Sequence, residues 1–79
     1  MDATFGFEKL KKGMKARVAA VLNQDPDTVR LMELGLTPGT EFTVTKIAPL
    51  GDPIEINVRG FRLCLRRRES DGLRLELVK

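Results

Sequence analysis

The sequence predicts a mainly β protein: a small, partly open antiparallel barrel of five strands with one α-helix inserted after the first strand. Three observations lead to this fold class. Apolar and polar residues alternate in several short runs, which is the pattern of half-buried strands. Turn-forming residues separate these runs at short intervals. One stretch, at about residues 26–34, carries the start and stop signals of a helix. Near closure of such a sheet protects its strand edges.

Length and composition exclude several classes of protein. The 79 residues suffice for a single domain, 1–79, with one small core, and leave no room for a deep active-site cleft. The net charge of +3 permits contact with an acidic partner without requiring it. The chain has no His, which removes the usual general base and the commonest metal ligand. The single cysteine, Cys64, excludes an internal disulfide and favours a reducing compartment.

The first eight residues, 1–8, precede the predicted strands. Phe5 and Phe7 flank a glycine, so this segment is either an ordered edge segment or a loose tail whose rings pack on the barrel. We expect a partly ordered tail. Met1 and Asp2 do not begin a secretory signal, and no apolar run is long enough to span a bilayer. We therefore expect a cytoplasmic protein.

The first strand is predicted over residues 14–22. Strict alternation places Ala16, Val18 and Ala20 on one face. Val21 breaks that alternation, which indicates a bulge or burial on both sides near the end of the strand.

The helix is predicted from its two ends. Asp25 is a good N-cap because its carboxylate can accept hydrogen bonds from free backbone N–H groups, and Pro26 suits the first helical position. Gly35 ends the helix because it can adopt the left-handed conformation. A Schellman ending at Gly35 would pack Leu36 over Leu31.

Two turns bracket the second strand, which is predicted over residues 40–48. Pro38 and Gly39 suit the central positions of a type II turn. Residues 49–53 form the second turn, which excludes both helix and ladder hydrogen bonds at its prolines, Pro49 and Pro53.

A hairpin and a final strand complete the predicted barrel. The hairpin strands alternate on either side of a two-residue connection, Arg59-Gly60. Phe61 alternates with core leucines and is therefore predicted to be buried, and Cys64 is predicted to be a small packing residue. A short helical turn is expected at about 67–71. The residues expected to face the core from these strands are Ile54, Ile56, Val58, Phe61, Leu63, Leu65, Leu73, Leu75 and Leu77.

Three segments of the chain resemble the FeoA family, the small cytoplasmic components of bacterial ferrous-iron uptake systems. They are LGLTPG at 34–39, APLGDP at 48–53, and GFRLCLR at 60–66 with Glu69. They occur in family order and with family-like spacing, within a match over roughly residues 9–78. Cys64 and Ser70 are small residues that stand where the family usually has Ala.

The resemblance implies an SH3-like β-barrel with an inserted helix. It also implies an accessory or regulator of FeoB, the membrane protein that imports Fe²⁺ and carries a cytoplasmic GTPase domain. The same barrel looks like the C-terminal domain of iron-dependent transcriptional repressors.

Each motif has a structural and a functional interpretation. Capping and turn geometry account for Asp25, Pro26, Gly35, Gly39, Gly51, Pro53 and Gly60. Leu50 has little core to reach, so it either folds back onto the barrel or forms an exposed apolar contact. The residues that could contact a protein partner are Met32, Glu33, Leu36, Pro38, Pro49, Leu50 and Asp52.

The basic residues form two groups, at 9–17 and 59–68. A solvated face is the first interpretation and an acidic protein partner the second. Nucleic acid is the third, because the chain lacks a stripe of exposed aromatic residues for base stacking. Acidic residues are spread along the chain, and no nucleophile–base pair or phosphate-binding glycine loop occurs. We therefore expect no enzyme, no cofactor and no tight metal site.

Three functions remain open at this point. The leading one is an adaptor that binds the cytoplasmic part of a ferrous-iron transporter. The second is a stand-alone relative of the repressor C-terminal domain that senses metal or binds a regulator. The third is a small-barrel nucleic-acid binder, whose affinity would fall steeply with salt.

Overall fold

The predicted order of elements is confirmed in the computed structural model, which describes residues 4–78. Residues 1–3 of the predicted tail lie outside this range. Within it the elements are a 3₁₀ turn at Phe7–Lys9, β1 Lys15–Val21, α1 Pro26–Glu33, β2 Glu41–Ile47, β3 Ile54–Val58, β4 Phe61–Leu65, a second 3₁₀ turn at Arg67–Ser70, and β5 Leu73–Leu77.

The strands form one antiparallel sheet in the order β4-β3-β2-β1-β5. Its two end strands, β4 and β5, do not pair with each other within residues 4–78, so the barrel is partly open, as predicted. Helix α1 lies at this opening. Leu31 and Leu34 of α1 face Leu63 of β4 across a narrow crevice, and Thr28 lies against Gly72 at the start of β5. The inserted helix therefore covers the gap that the sheet leaves.

The core lies between the inner face of the curled sheet and α1. Its buried apolar side chains come from every strand, from α1 and from the segment before β1, and they confirm most of the predicted core. Its members are Phe7, Leu10, Ala16, Val18, Leu31, Leu36, Phe42, Val44, Ile54, Ile56, Val58, Leu65, Leu73 and Leu75.

Two predictions for β4 are wrong. Phe61 is 45% exposed, because on the end strand β4 burial falls from Leu65 towards the tip of the hairpin, although Val58 opposite it on β3 is fully buried. Cys64 is exposed as well, since it alternates with the buried Leu65 on a strand at the end of the sheet. Alternation identified the two faces of β4 but could not show how far the core extends along the strand.

The helix ends as predicted and begins differently. Gly35, with φ of +114°, donates its N–H to the Met32 carbonyl at 3.0 Å, and the Leu36 N–H donates to the Leu31 carbonyl at 3.0 Å. These two bonds are the Schellman motif. At the other end Asp25 occupies the N-cap position but makes no side-chain capping bond.

The predicted capping bond from the Asp25 carboxylate is therefore absent, and Asn23 holds the start of the helix in a different way. Its Oδ1 accepts the Asp25 N–H at 3.0 Å and the Thr28 hydroxyl at 2.8 Å. A side chain two residues before the N-cap therefore connects the incoming chain to the first turn of α1.

From residue 4 onward, the N-terminal segment packs on the barrel in an ordered conformation and is not a loose tail. Phe5 exchanges two backbone hydrogen bonds of 2.8 Å with Leu75, on the edge of β5. Phe7 is only 2% exposed, and its ring stacks on Phe42 with 5.9 Å between the ring centroids. This segment protects the outer edge of β5 and adds an aromatic residue to the core.

The irregularity predicted near the end of β1 is a register shift in its pairing with β5. Val18 pairs with Leu75 and Ala20 with Arg74, so one extra residue of β1 lies between them. The shift reverses the alternation, which is why Val21 packs against the core although Ala20 was predicted to do so.

Gly72→Ala is expected to lower the free energy of unfolding by about 1–3 kcal/mol, the usual cost of overpacking. A Cβ at Gly72 would collide with the Thr28 hydroxyl and lie 2.7 Å from Asn23 Oδ1, so the contact between α1 and β5 would have to shift. Gly6→Ala is the control, because its Cβ would meet only the flexible end of the Glu8 side chain. Urea denaturation of both variants tests this; equal losses for both would contradict it.

Candidate partner-binding surface

The predicted contact residues fall into two groups on the folded chain. The first group surrounds the end of α1, where Glu33 and Pro38 are exposed and Met32 is half-buried. Leu36 does not belong to it: the side chain is 0% exposed and lies in the core beside Leu31, so its assignment as a partner contact is wrong. Because the Schellman ending turns the chain inward after Gly35, the residue that follows is buried.

The second group is the turn at residues 48–53 between β2 and β3. Leu50 at its tip is 97% exposed, which answers the question that the sequence left open about this residue. The turn is closed by backbone hydrogen bonds from Gly51 to the Ala48 carbonyl at 2.7 Å and from Ala48 to the Pro53 carbonyl at 3.1 Å. Leu50 is therefore held away from the barrel by an ordered backbone.

The Asp52 side chain forms contacts within the chain that hold the turn in place. Its carboxylate accepts the Arg67 backbone N–H at 2.9 Å and lies 4.0 Å from the Arg66 guanidinium. Asp52 is half-buried and already has these partners within the chain, so its visible role is to fasten the turn to the second 3₁₀ turn. Whether it also touches a partner stays a prediction.

Arg67 is the residue that sequence reasoning missed. Its Nε donates to the Gly51 carbonyl at 2.7 Å and its Nη1 donates to the Phe7 carbonyl. One guanidinium thus joins the turn at 48–53 to the N-terminal segment. No local pattern could have revealed it, because the two acceptors lie 16 and 60 residues away in the chain.

An apolar hollow adjoins the exposed turn on the outer face of the sheet. Its volume is about 310 Å³, which is at the lower end of the range of volumes for ligand-binding clefts. The crevice between α1 and β4 encloses only about 30 Å³, which is the space of about one water molecule. The hollow is therefore much roomier than the crevice; its lining residues are Lys46, Ile47, Ala48, Pro49, Pro53, Glu55 and Cys64.

The charges around this hollow differ from those at the other end of β2. Among the described residues, Lys15 and Arg17 are paired with Glu41, which lies at the far end of β2 from the hollow. Within the same range Lys46 and Arg62 form no ion pair, and both are exposed. By the same criterion Glu55 in its wall is an unpaired carboxylate within residues 4–78. The two cations outnumber it, and this excess of positive charge suits an acidic partner.

The structure also bears on metal binding and on membrane insertion. Among residues 4–78, no three His, Cys, Asp or Glu side chains lie close enough to hold a metal ion together. No helix in the same part of the chain is both long and apolar enough to cross a bilayer.

The chain matches the family model of the FeoA domain over residues 8–77. It is 29% identical over 70 residues, 89% of this chain, to a Porphyromonas gingivalis protein that is a fusion of Fe(2+) transport protein A with the Fe(2+) transporter FeoB. This chain spans 8% of the length of that curated fusion protein.

Solved structures of FeoA proteins have the same fold. The FeoA protein of Chlorobium tepidum is 39% identical, with a TM-score of 0.82 over 95% of this chain and 71% of that chain. The zinc complex of Stenotrophomonas maltophilia FeoA, a prokaryotic SH3 domain protein, is 27% identical, with a TM-score of 0.74 over 87% of this chain and 86% of that chain. The SH3-like fold implied by the resemblance is confirmed.

The likeness to metal-dependent repressors is one of fold alone. The T. acidophilum IdeR structure is 16% identical, with a TM-score of 0.83 over 99% of this chain and 36% of that chain. The FeoA model, by contrast, matches residues 8–77 of the 79, and the proteins of this family take part in ferrous iron transport. The chain belongs to the FeoA family.

Proposed function

We propose that this chain is a cytoplasmic accessory protein of ferrous iron uptake that acts by binding the cytoplasmic region of a FeoB-type transporter. The observation that carries the proposal is the P. gingivalis fusion, in which a segment similar to this chain is part of the same polypeptide as FeoB. A fusion keeps two domains at high effective concentration, which is useful when the two domains work together. The S. maltophilia relative has also been put forward as a ferrous iron transport activating factor.

The geometry supports binding rather than catalysis as the mode of action. The turn at 48–53 presents Leu50 on an ordered backbone, and the adjoining hollow offers apolar surface beside unpaired cations. An exposed apolar side chain next to an apolar hollow is typical of a site where another macromolecule docks. The turn and the hollow together are called the docking surface below.

Titration of the chain against the isolated cytoplasmic region of the cognate transporter tests the proposal. We expect saturable binding with one site per chain, measured by calorimetry both without nucleotide and with guanine nucleotides. The measurement is repeated with the membrane-embedded transporter, in case the docking site needs the spanning segments. Absence of binding in all of these mixtures would contradict the proposed function.

A further inference from the structure

We infer that the hollow of the docking surface receives one apolar side chain from a partner segment whose flanking residues are acidic. This inference rests on the proposed function and adds the chemistry of the segment that binds. Three features support it: the shape of the hollow, the charges at its edge, and the poorer fit of a nucleic-acid base or a second copy of this chain.

The hollow suits a single apolar side chain. Ile47, Ala48, Pro49 and Pro53 form most of its wall, and the two prolines have few conformations to lose when a ligand binds. Leu50 is not part of the wall, but it follows Pro49 directly in the chain and is exposed, so the partner segment can contact it next to the hollow. The wall contains no aromatic side chain, which disfavours a stacked nucleic-acid base as the occupant.

The β4 side of the hollow is flanked by cations. Arg62, Cys64 and Arg66 are all exposed, and alternate residues of an extended chain share one face. Each arginine therefore originates about 7 Å along the strand from Cys64, one on either side of the hollow. Lys46 contributes a third cation from β2.

The acidic residues near the hollow are held by hydrogen bonds within the chain, which fix their positions without removing their charge. Glu55 accepts a hydrogen bond from the Thr45 hydroxyl at 2.8 Å, and Asp52 accepts the Arg67 backbone N–H at 2.9 Å. Arg62, by contrast, forms no ion pair within residues 4–78. A segment with Asp or Glu on both sides of its apolar residue would pair with Arg62 and Lys46 as they lose water. Arg66 already lies 4.0 Å from the Asp52 carboxylate, so it adds positive charge nearby without being a free ion-pair partner.

A second copy of this chain is a poorer occupant of the docking surface. A two-fold dimer would bring the same surface of both copies together. The positive charges of Lys46, Arg62 and Arg66 would then lie on both sides of the contact, and an excess of like charge there is unfavourable. The charge pattern therefore favours an acidic segment of a different protein.

Short blocked peptides test the inference on the isolated chain. The probe peptide carries a central leucine between glutamates; one comparison peptide replaces the glutamates with lysines, and another replaces the leucine with alanine. We expect saturable shifts of the Ile47, Leu50, Glu55 and Cys64 amide signals in ¹H–¹⁵N spectra with the probe peptide. The alanine peptide should bind several-fold more weakly, and the lysine peptide should give no saturable shift.

Arg62→Glu should weaken binding of the probe peptide about tenfold, because it replaces attraction with repulsion at the edge of the hollow. Arg30→Glu on α1 is the matched control, since Arg30 is also exposed and forms no ion pair within residues 4–78. It should bind the probe peptide as the parent chain does. Both variants should keep the parent melting temperature, which shows that any loss of affinity is not a loss of fold.

Three results would overturn the inference: no saturable shift at millimolar probe peptide, equal binding of the glutamate and lysine peptides, or shifts confined to α1. The transporter titration separates this failure from that of the proposed function. If the transporter region binds the chain but the probe peptide does not, the inference alone is wrong. If the probe peptide binds but the transporter region does not, the proposed function is wrong.

Discussion

Leu36→Ala should lower the free energy of unfolding by about 2–5 kcal/mol, the range for removing a large buried aliphatic side chain. Leu36 is fully buried in the core, although it follows a turn-forming glycine and was predicted from the sequence to contact a partner. Alanine keeps the backbone bond from residue 36 to the Leu31 carbonyl, so the loss measures packing alone. For a domain of this size, such a loss is a large part of the total stability.

Leu50→Ala is the matched control for this change. The same atoms are removed, but from a side chain that is almost wholly exposed, so the free energy of unfolding should stay within about 0.5 kcal/mol of the parent value. Urea denaturation of both variants gives the comparison. The assignment of the two leucines would be wrong if Leu50→Ala destabilised the chain as much as Leu36→Ala.

Arg67→Ala should lower the free energy of unfolding by about 2 kcal/mol, because hydrogen bonds from a charged donor contribute about 1.5–3 kcal/mol each and Arg67 is only half-buried. The change removes its bonds to the carbonyls of Gly51 and Phe7. Both the turn at 48–53 and the N-terminal segment would lose an attachment. Chemical denaturation measures the overall loss.

Hydrogen exchange shows whether the effect lies where the structure places it. The amides of Phe5 and Leu75, which pair the N-terminal segment with β5, should exchange faster in Arg67→Ala than in the parent chain. Arg68→Ala is the control, since Arg68 is exposed and forms no ion pair within residues 4–78. Equal behaviour of the two variants would show that Arg67 does not hold these segments together.

Local patterns predicted most of the fold. Strict alternation located the hairpin of β3 and β4, and its register follows from the two-residue connection at Arg59-Gly60. The Schellman ending at Gly35 was predicted with its hydrophobic contact, because the signal and its consequence lie within six residues. The turn at Pro38-Gly39 also appears as predicted, with Thr40 N–H donating to the Thr37 carbonyl at 3.0 Å.

Features that depend on distant parts of the chain could not be predicted in the same way. Phe61 has the alternation of a core residue, but at the tip of the hairpin only the β3 side, Val58, is buried and the end strand β4 is not. The order of residues 4–8 depends on β5, which comes almost at the end of the chain. Arg67 looked like one member of a basic group until its acceptors were known.

The candidate site was predicted in part. Leu50 was singled out because its turn offers no core, and the structure shows it exposed. The hollow beside it was not predicted, because it is formed by β2, β3 and β4 together with both ends of the turn. The roles of Met32, Glu33, Pro38 and Pro49 in partner binding stay predictions.

The most direct test of the account is to compare how Leu50→Asp and the parent chain bind the cytoplasmic region of the transporter. A carboxylate at the tip of the turn would place negative charge where apolar contact is expected, and we predict at least a tenfold loss of affinity, about 1.4 kcal/mol. The control is Leu22→Asp, because Leu22 is also exposed, at 60%, but lies between β1 and α1. Loss of binding in Leu50→Asp with retention in Leu22→Asp is the predicted result. Full binding by Leu50→Asp would contradict the claim that this chain works through its docking surface.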